Sequence, residues 1–188
     1  MKKIACLFPG IGYTCDKPLL YYSWKLLKGM DWEVVPVPYS GFPDHVKGNP
    51  EKMRQCARMA LEQAESILRG IDWREYGEIL LIGKSVGTVV AAAYAKQHDL
   101  HCRQILFTPV EDVFRFAERD AIVFHGTADP WADTGVIREN CKKTGLSLYE
   151  TERANHSLET GDVDKDIKEM RKVMKIVKEY AQSDQPIE

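Results

Sequence analysis

The chain has 188 residues, of which 44% are hydrophobic, enough to bury one core of ordinary size with nothing to suggest a second. Its formal net charge is -2 and its pI is near 6.2, and acidic and basic residues are interspersed along the whole length. This charge pattern lacks the basic field that nucleic acid or an anionic membrane surface requires, so we expect neither as a partner.

The cysteine pattern and the first apolar run favour a cytoplasmic protein. The five cysteines are odd in number and form no Cys-x-x-Cys pair, so neither a zinc knuckle nor a disulfide framework is indicated. Residues 4–8 are apolar, but this run is shorter than the hydrophobic region of a signal peptide and stops at Pro9 and Gly10. No other segment is predicted to span a membrane. We therefore expect a reducing, cytoplasmic environment.

Short apolar runs alternate with helical patterns along the chain. Strands are predicted at residues 3–8, 32–39, 78–83, 103–109, 121–126 and 146–152. Helices are predicted at residues 16–30, 50–69, 86–98, 110–118, 133–144 and 162–181. Most of the strands are continuously apolar, which is typical of a parallel sheet covered on both faces. The pattern predicts a three-layer, doubly wound α/β fold with a six-stranded, mainly parallel sheet, in one domain of residues 1–188 whose residues 181–188 are expected to fray.

The pentapeptide Gly-Lys-Ser-Val-Gly at residues 83–87 is compatible with two unrelated chemistries. Gly-Lys-Ser ends a phosphate-binding P-loop, but a P-loop needs a glycine five residues before its Gly-Lys, and that position is Glu78. Gly-x-Ser-x-Gly is also the nucleophile turn of many hydrolases, in which a strand ends at the first glycine and a helix begins behind the serine. The predicted elements have this arrangement around Ser85, so we interpret the serine as a nucleophile. Gly83 and Gly87 are expected to flank it because a serine with positive φ crowds its neighbours.

A serine nucleophile needs a histidine base and a carboxylate that orients the base, and both are expected downstream in the order serine, acid, histidine. Asp129 follows the fifth predicted strand and His156 follows the sixth, so the order is satisfied. His125 is a rival base, although it precedes the acid. Asp133 is a rival acid, although it stands at a predicted helix start, where Asp usually serves as a cap.

The segments "GKSVG", "HGTADP" and "NHSLE" resemble the nucleophile turn, acid turn and histidine loop of the α/β-hydrolase superfamily. The chain is most similar to its small, lidless members, which include dienelactone-hydrolase-like and uncharacterised bacterial proteins. The resemblance covers nearly the whole chain. It implies the strand order 2-1-3-4-5-6 with the serine turn after the third strand. A serine, histidine and aspartate mechanism is expected to need no cofactor.

The resemblance also implies an oxyanion hole. One donor would be the backbone N–H of Val86, and the other would come from the loop after the first strand, where we favour Ile11 and leave Gly12 and Tyr13 as alternatives. The family often has His-Gly-x-Gly in this loop, whereas this chain has residues 9–12 as Pro-Gly-Ile-Gly. Gly12, Tyr13 and Trp131 are also candidates for lining the substrate site, although packing is an equal interpretation of the aromatic residues.

Two further expectations concern the surroundings of the serine. Lys84 is interpreted either as a solvated lysine or as a partner of Glu111 or Asp112. Only residues 110–120 separate the fourth and fifth predicted strands, which leaves room for one short helix and for no cap domain. An open site of this kind favours short acyl groups, from acetate to butyrate.

The sequence therefore predicts a serine hydrolase that cleaves a small carboxylic ester or thioester through an acyl-enzyme on Ser85. Its partner would be that small molecule, and the sequence does not indicate an oligomeric state. Two alternatives remain: an acyltransferase that uses the same three residues, and a catalytically silent binding protein that keeps the fold.

Overall fold

The computed structural model describes residues 1–46, 48–118 and 120–183. Within these ranges the strands are β1 (Lys2–Phe8), β2 (Glu33–Pro36), β3 (Tyr76–Lys84), β4 (Arg103–Phe107), β5 (Ala121–Gly126) and β6 (Ser147–Thr151). The α-helices in the same ranges are α1 (Pro18–Lys28), α2 (Pro50–Leu68), α3 (Val86–Gln97), α4 (Thr134–Thr144) and α5 (Val163–Gln182). Short 3₁₀ helices cover Trp73–Glu75 and Glu111–Arg115.

The strands form one sheet in the order β2-β1-β3-β4-β5-β6, which confirms the predicted order. Every pairing in this sheet is parallel, so the described sheet is parallel throughout. Lys84 at the end of β3 pairs with Phe107 at the end of β4, and Phe107 pairs in turn with Phe124 of β5. The carboxyl ends of the central strands are therefore level, and the loops that follow them meet at one edge of the sheet.

The sheet is the middle of three layers, as predicted. Alternation along β3 turns Leu80 and Ile82 toward α1 and α5, and it turns Leu81 toward α2 and α3. On the second face Leu106 of β4 packs in a cluster that includes Ile137 of α4. Because both faces of the central strands are buried, their continuous apolar sequence is explained.

The segment predicted as a helix at residues 110–118 is shorter than expected. It forms a 3₁₀ helix over Glu111–Arg115, in which the Val113 N–H donates to the Val110 carbonyl at 3.1 Å. Val113 is the buried side chain of this helix. One buried side chain gives an α-helix little tertiary packing with which to extend. Apart from Arg119, which lies outside the described residues, the connection from β4 to β5 contains no inserted cap.

Fraying was predicted for residues 181–188, which begins two residues too early. Ala181 is buried and, with Gln182, belongs to α5, whereas residues 184–188 lie outside the described residues. None of the helices in the described part of the chain combines the length and the apolar character that a membrane crossing requires.

Candidate active site

Ser85 occupies a strained turn between β3 and α3. Its backbone has φ 55° and ψ -123°, a conformation that L-residues adopt only when the surrounding structure holds them there. Its N–H donates to the Phe107 carbonyl of β4 at 3.0 Å. Its carbonyl accepts from Thr88, at 2.9 Å from the backbone N–H and at 2.6 Å from the hydroxyl. These bonds fix the serine at the amino end of α3, with 8% of its surface exposed.

The glycines beside Ser85 are required by close backbone contacts. A Cβ atom at Gly87 would lie 2.0 Å from the Phe8 carbonyl oxygen and 2.5 Å from that of Pro9. A Cβ atom at Gly83 would lie 2.5 Å from the Thr88 Cα. The sequence-based reason was crowding around the serine itself. The structure shows that Gly87 instead lets α3 approach the end of β1.

The loops that carry Asp129 and His156 are tied together by their main chains. The Thr127 N–H donates to the Thr151 carbonyl at 3.1 Å, and the Ala128 N–H donates to the Ala154 carbonyl at 2.9 Å. These bonds join the turn after β5 to the turn after β6. As a result, the two residues are neighbours in space although they lie 27 positions apart in the sequence.

The loop around His156 is shaped by Asn155. The Asn155 Oδ1 accepts from the backbone N–H of Ser157 at 2.7 Å and from that of Glu159 at 3.2 Å. Asn commonly forms such turns because its side chain replaces a main-chain acceptor. The sequence Asn-His-Ser-Leu-Glu thus folds locally into a turn that presents the imidazole.

The structure brings Ser85, His156 and Asp129 into one line of hydrogen bonds. His156 Nε2 lies 2.7 Å from Ser85 Oγ, and His156 Nδ1 lies 2.6 Å from Asp129 Oδ2. The Trp131 N–H donates to Asp129 Oδ1 at 2.9 Å, so both carboxylate oxygens accept a hydrogen bond. The Trp131 ring also stands edge-on against the imidazole, with a distance of 4.4 Å between the ring centroids. The imidazole is therefore held by a carboxylate on one side and by an aromatic ring on another.

Burial governs the protonation of His156. Desolvation lowers its pKa below the ordinary 6.5, and the nearby charge of Lys84 lowers it further, against the opposing effect of the hydrogen bond with Asp129. An imidazole with a lowered pKa is neutral at pH 7. It can therefore accept a proton from the serine hydroxyl.

The rival residues have other contacts. Asp133 is the N-cap of α4 and accepts from the Val136 N–H at 2.9 Å, which confirms its interpretation as a cap. His125 is fully buried, and its Nε2 lies 2.8 Å from the Thr134 hydroxyl. Among the described residues, neither one contacts Ser85 through a hydrogen bond.

The loop after β1 contains the residues predicted as the second oxyanion donor. The Tyr13 N–H donates to the Gly10 carbonyl at 3.2 Å, so it is already engaged. The N–H groups of Ile11 and Gly12 make no hydrogen bond with any described residue. The Val86 N–H belongs to the first turn of α3, whose N–H groups have no partner within the helix. The N–H groups of Val86, Ile11 and Gly12 are therefore unengaged by the described residues, whereas that of Tyr13 is engaged.

A groove of about 510 Å³ with a mixed apolar and charged lining adjoins the serine turn. Its floor is one face of α3, and its walls come from α2 and the 3₁₀ helix at Glu111–Arg115. Of the three residues predicted to line the substrate site, Trp131 lines this groove, and Gly12 and Tyr13 do not. Its apolar lining residues include Ala57, Val86, Val90, Ala93, Phe116 and Trp131, and its charged lining residues are Arg54, Arg58, Glu111, Asp112 and Arg115. Sequence reasoning did not find this groove, because its walls come from three separate segments.

Lys84 has neither of its expected environments. Its side chain is 1% exposed, which excludes a solvated lysine. Asp112 lies near Arg54 and Arg115 instead. Lys84 Nζ lies 4.8 Å from the centre of the Tyr13 ring. The alternation along β3 contained this signal, since Lys84 shares a face with the buried Leu80 and Ile82.

Within the described ranges, no group of three His, Cys, Asp or Glu side chains is arranged to hold a metal ion. No family model matches the chain, and the comparison with curated proteins gives no match.

Solved structures do match over almost the whole chain. An α/β serine hydrolase homologue from Coxiella burnetii is 14% identical, with 93% of this chain and 84% of that chain covered and a TM-score of 0.67. A serine hydrolase without a lid from Xanthomonas campestris is 16% identical, with 97% and 84% covered and a TM-score of 0.63. Est1E from Butyrivibrio proteoclasticus, solved with ferulic acid bound, is 11% identical, with 95% and 88% covered and a TM-score of 0.68.

These likenesses define the class of fold. The chain has the α/β-hydrolase fold, in the small form without a lid.

Proposed function

We propose that the protein is a serine hydrolase that cleaves a small carboxylic ester or thioester. The observation that supports this most strongly is the line of hydrogen bonds from Asp129 through His156 to Ser85. It lies at the carboxyl end of the sheet, where loops from three strands can surround a substrate carbonyl.

In the proposed reaction Ser85 Oγ attacks the carbonyl carbon while His156 Nε2 takes the hydroxyl proton. The tetrahedral intermediate collapses as the bond to the leaving oxygen or sulfur breaks, and His156 returns the proton to that atom. Water, deprotonated by the same imidazole, then attacks the acyl carbon. The bond to Ser85 Oγ breaks, His156 returns the proton to that oxygen, and the acid leaves. Asp129 keeps the proton of the neutral imidazole on Nδ1, which leaves Nε2 free to accept. These steps need no cofactor.

The developing oxyanion would be bound by the backbone N–H of Val86 and by that of Ile11 or Gly12. Donors that are already fixed stabilise the charge as it forms, which is commonly the largest single contribution to this kind of catalysis. The acyl group would lie in the groove, because Val86 and Trp131 both line it and both adjoin the reacting groups.

Labelling with a fluorophosphonate tests this proposal. We expect the probe to attach to Ser85 in the wild-type chain and to be absent from Ser85→Ala. Intact-mass and peptide mass spectrometry would locate the adduct. Ser157→Ala is the matched control, since Ser157 lies in the histidine loop without contacting Ser85, and it should label as the wild type does. Labelling at another serine, or none at all, would contradict the proposal.

The groove revises the expectation for acyl length. Val86, Val90 and Ala93 follow one face of α3, and seven residues of helix span about 10 Å, a length that an acyl chain of about six to eight carbons can occupy. Each methylene that leaves water contributes about 0.8 kcal/mol, roughly a fourfold gain in kcat/KM. We expect kcat/KM for p-nitrophenyl esters to rise from acetate to hexanoate or octanoate and then to level off.

Filling the far end of the groove tests where the chain lies. Ala93→Phe should shift the optimum to butyrate or shorter and leave the acetate ester unaffected, because Ala93 is two helical turns from the serine. An octanoate preference that survives this change would place the acyl chain elsewhere.

A further inference from the structure

Lys84 is a buried cation that the proposed reaction does not use. It ends β3 directly before Ser85 and is almost completely enclosed. Among the described residues its side chain forms no ion pair and no hydrogen bond, and its ammonium group lies over the Tyr13 ring. A lysine that loses its water without a carboxylate partner destabilises a folded protein. The presence of Lys84 at this position therefore suggests a function that offsets the loss of stability.

Tyr13 is held at its ring face and at its hydroxyl. Lys84 Nζ lies 4.8 Å from the ring centre, within the range in which the aromatic face attracts an ammonium group. The Tyr13 hydroxyl oxygen accepts a hydrogen bond at 3.0 Å from the Leu19 N–H, in the first turn of α1. The ring therefore joins the amino end of α1 to the base of the serine turn.

The main chain of Tyr13 is hydrogen-bonded within the loop that is proposed to bind the oxyanion. Gly10 and Tyr13 exchange two backbone hydrogen bonds, of 3.0 and 3.2 Å, with Ile11 and Gly12 between them. A Cβ atom added to Gly10 would lie 3.1 Å from the Ser85 Cβ. Gly10 and Tyr13 therefore close a turn that carries Ile11 and Gly12 and lies beside Ser85.

We propose that Lys84 is a positioning residue whose ammonium group, acting through the Tyr13 ring, fixes the Gly10–Tyr13 turn beside Ser85 so that this turn can bind the oxyanion. The proposal rests on the serine hydrolase function proposed above. The buried lysine would stabilise the transition state through the position of this turn, without contacting the substrate.

The charges around Lys84 predict the pH range in which its ammonium group attracts the Tyr13 ring. Desolvation lowers the pKa of Lys84 to about 7, against the attraction of Asp129 and, more weakly, of Glu159. His156 is the other titratable group coupled to it, and the Lys84 charge lowers the His156 pKa. Burial raises the pKa of the Tyr13 hydroxyl, which stays neutral in this range. As the pH rises through about 7 the amine loses its proton, and the attraction to the ring is lost.

A plot of kcat/KM against pH should therefore have an acid limb and an alkaline limb. It should rise as His156 loses its proton, below pH 6.5, and fall as Lys84 loses its proton near pH 7. In Lys84→Met, which keeps the length and removes the charge, kcat for p-nitrophenyl acetate at pH 6.5 should fall about 10- to 100-fold with KM little changed, because the oxyanion forms only in the transition state. The alkaline limb should disappear. The acid limb should move to higher pH, since a nearby positive charge no longer opposes protonation of His156.

Matched variants separate this role from a loss of folding. Lys178→Met removes an exposed lysine and should behave as the wild type. Tyr13→Leu, which removes the aromatic face, should reproduce the low kcat and the missing alkaline limb of Lys84→Met. Tyr13→Phe, which keeps the face, should retain the alkaline limb. Lys84→Met should unfold at a temperature at least as high as the wild type at pH 7, because it removes a buried charge.

A second readout does not depend on turnover. In ¹⁵N NMR spectra of the wild type, the Ile11 and Gly12 amide signals should shift with a midpoint near pH 7, and Lys84→Met should abolish that shift. Amides that do not titrate, or a Lys84→Met enzyme with the kcat and both limbs of the wild type, would overturn the positioning role. If the amides titrate but Ser85 takes no fluorophosphonate, the proposed function fails while the link between Lys84 and the turn stands.

Discussion

Replacing His156 with alanine is expected to lower kcat for an ester substrate by about 10⁴- to 10⁶-fold. Among the described residues, the hydrogen bond of the Ser85 hydroxyl is made with His156, at 2.7 Å. Without this proposed base the hydroxyl would be a poor nucleophile at neutral pH. The rate that remains would come from substrate binding and from the oxyanion donors. Steady-state kinetics with p-nitrophenyl acetate, together with the rate of fluorophosphonate labelling, measure the loss.

Two other histidines provide controls for this variant. His101→Ala removes an exposed imidazole and should leave kcat unchanged. His125→Gln tests the rival base and keeps a side chain able to bond Thr134, so it should affect stability more than kcat. If His125→Gln gave the large loss and His156→Ala gave little, the base would be His125.

The parts of the fold that follow from local patterns could be predicted from the sequence. The strand order came from the family resemblance, and the sheet confirms it, while the apolar runs gave the strands within a few residues. The end of α5 was predicted one residue early, because Gln182 continues a helix whose last buried turn holds Tyr180 and Ala181. Helix ends depend on which side chains find partners across the fold, and a single sequence does not contain that information.

The positions of Ser85, Asp129 and His156 were predictable because each follows a strand of a parallel sheet. In such a sheet the loops after the strands meet at one edge, so chain order alone brings the three residues near one another. The contacts of Trp131 with Asp129 and with the imidazole were not predictable at this level. They depend on how the turn after β5 closes, which main-chain hydrogen bonds to the turn after β6 decide.

The environment of Lys84 was the largest difference from expectation. Strand alternation placed it on the face of Leu80 and Ile82, but a lysine is so seldom buried that composition favoured solvent. The groove was missed for another reason. Its volume is defined by the spacing between α2, α3 and the 3₁₀ helix, and no single segment of sequence encodes that distance.

The second large effect is expected for Asp129→Asn, which should lower kcat by up to about 10⁴-fold while the protein stays folded. The Trp131 N–H donates to Asp129 Oδ1, and in the variant it would hold the amide oxygen at that position. The amide NH₂ group would then face His156 Nδ1 in place of Oδ2. An NH₂ group can only donate there, so it favours the tautomer with the proton on Nε2. That tautomer cannot accept the proton of Ser85.

Asp133→Asn is the matched control for Asp129→Asn, since both replace a carboxylate by an amide in the same connection. Asn is as good an N-cap as Asp, so α4 should keep its cap and kcat should change less than about threefold. Thermal unfolding and near-UV circular dichroism would show that both variants remain folded. The tautomer explanation also predicts that labelling of Ser85 by the fluorophosphonate slows in parallel with kcat in Asp129→Asn. A large loss in Asp133→Asn beside a small one in Asp129→Asn would instead assign the orienting carboxylate to Asp133.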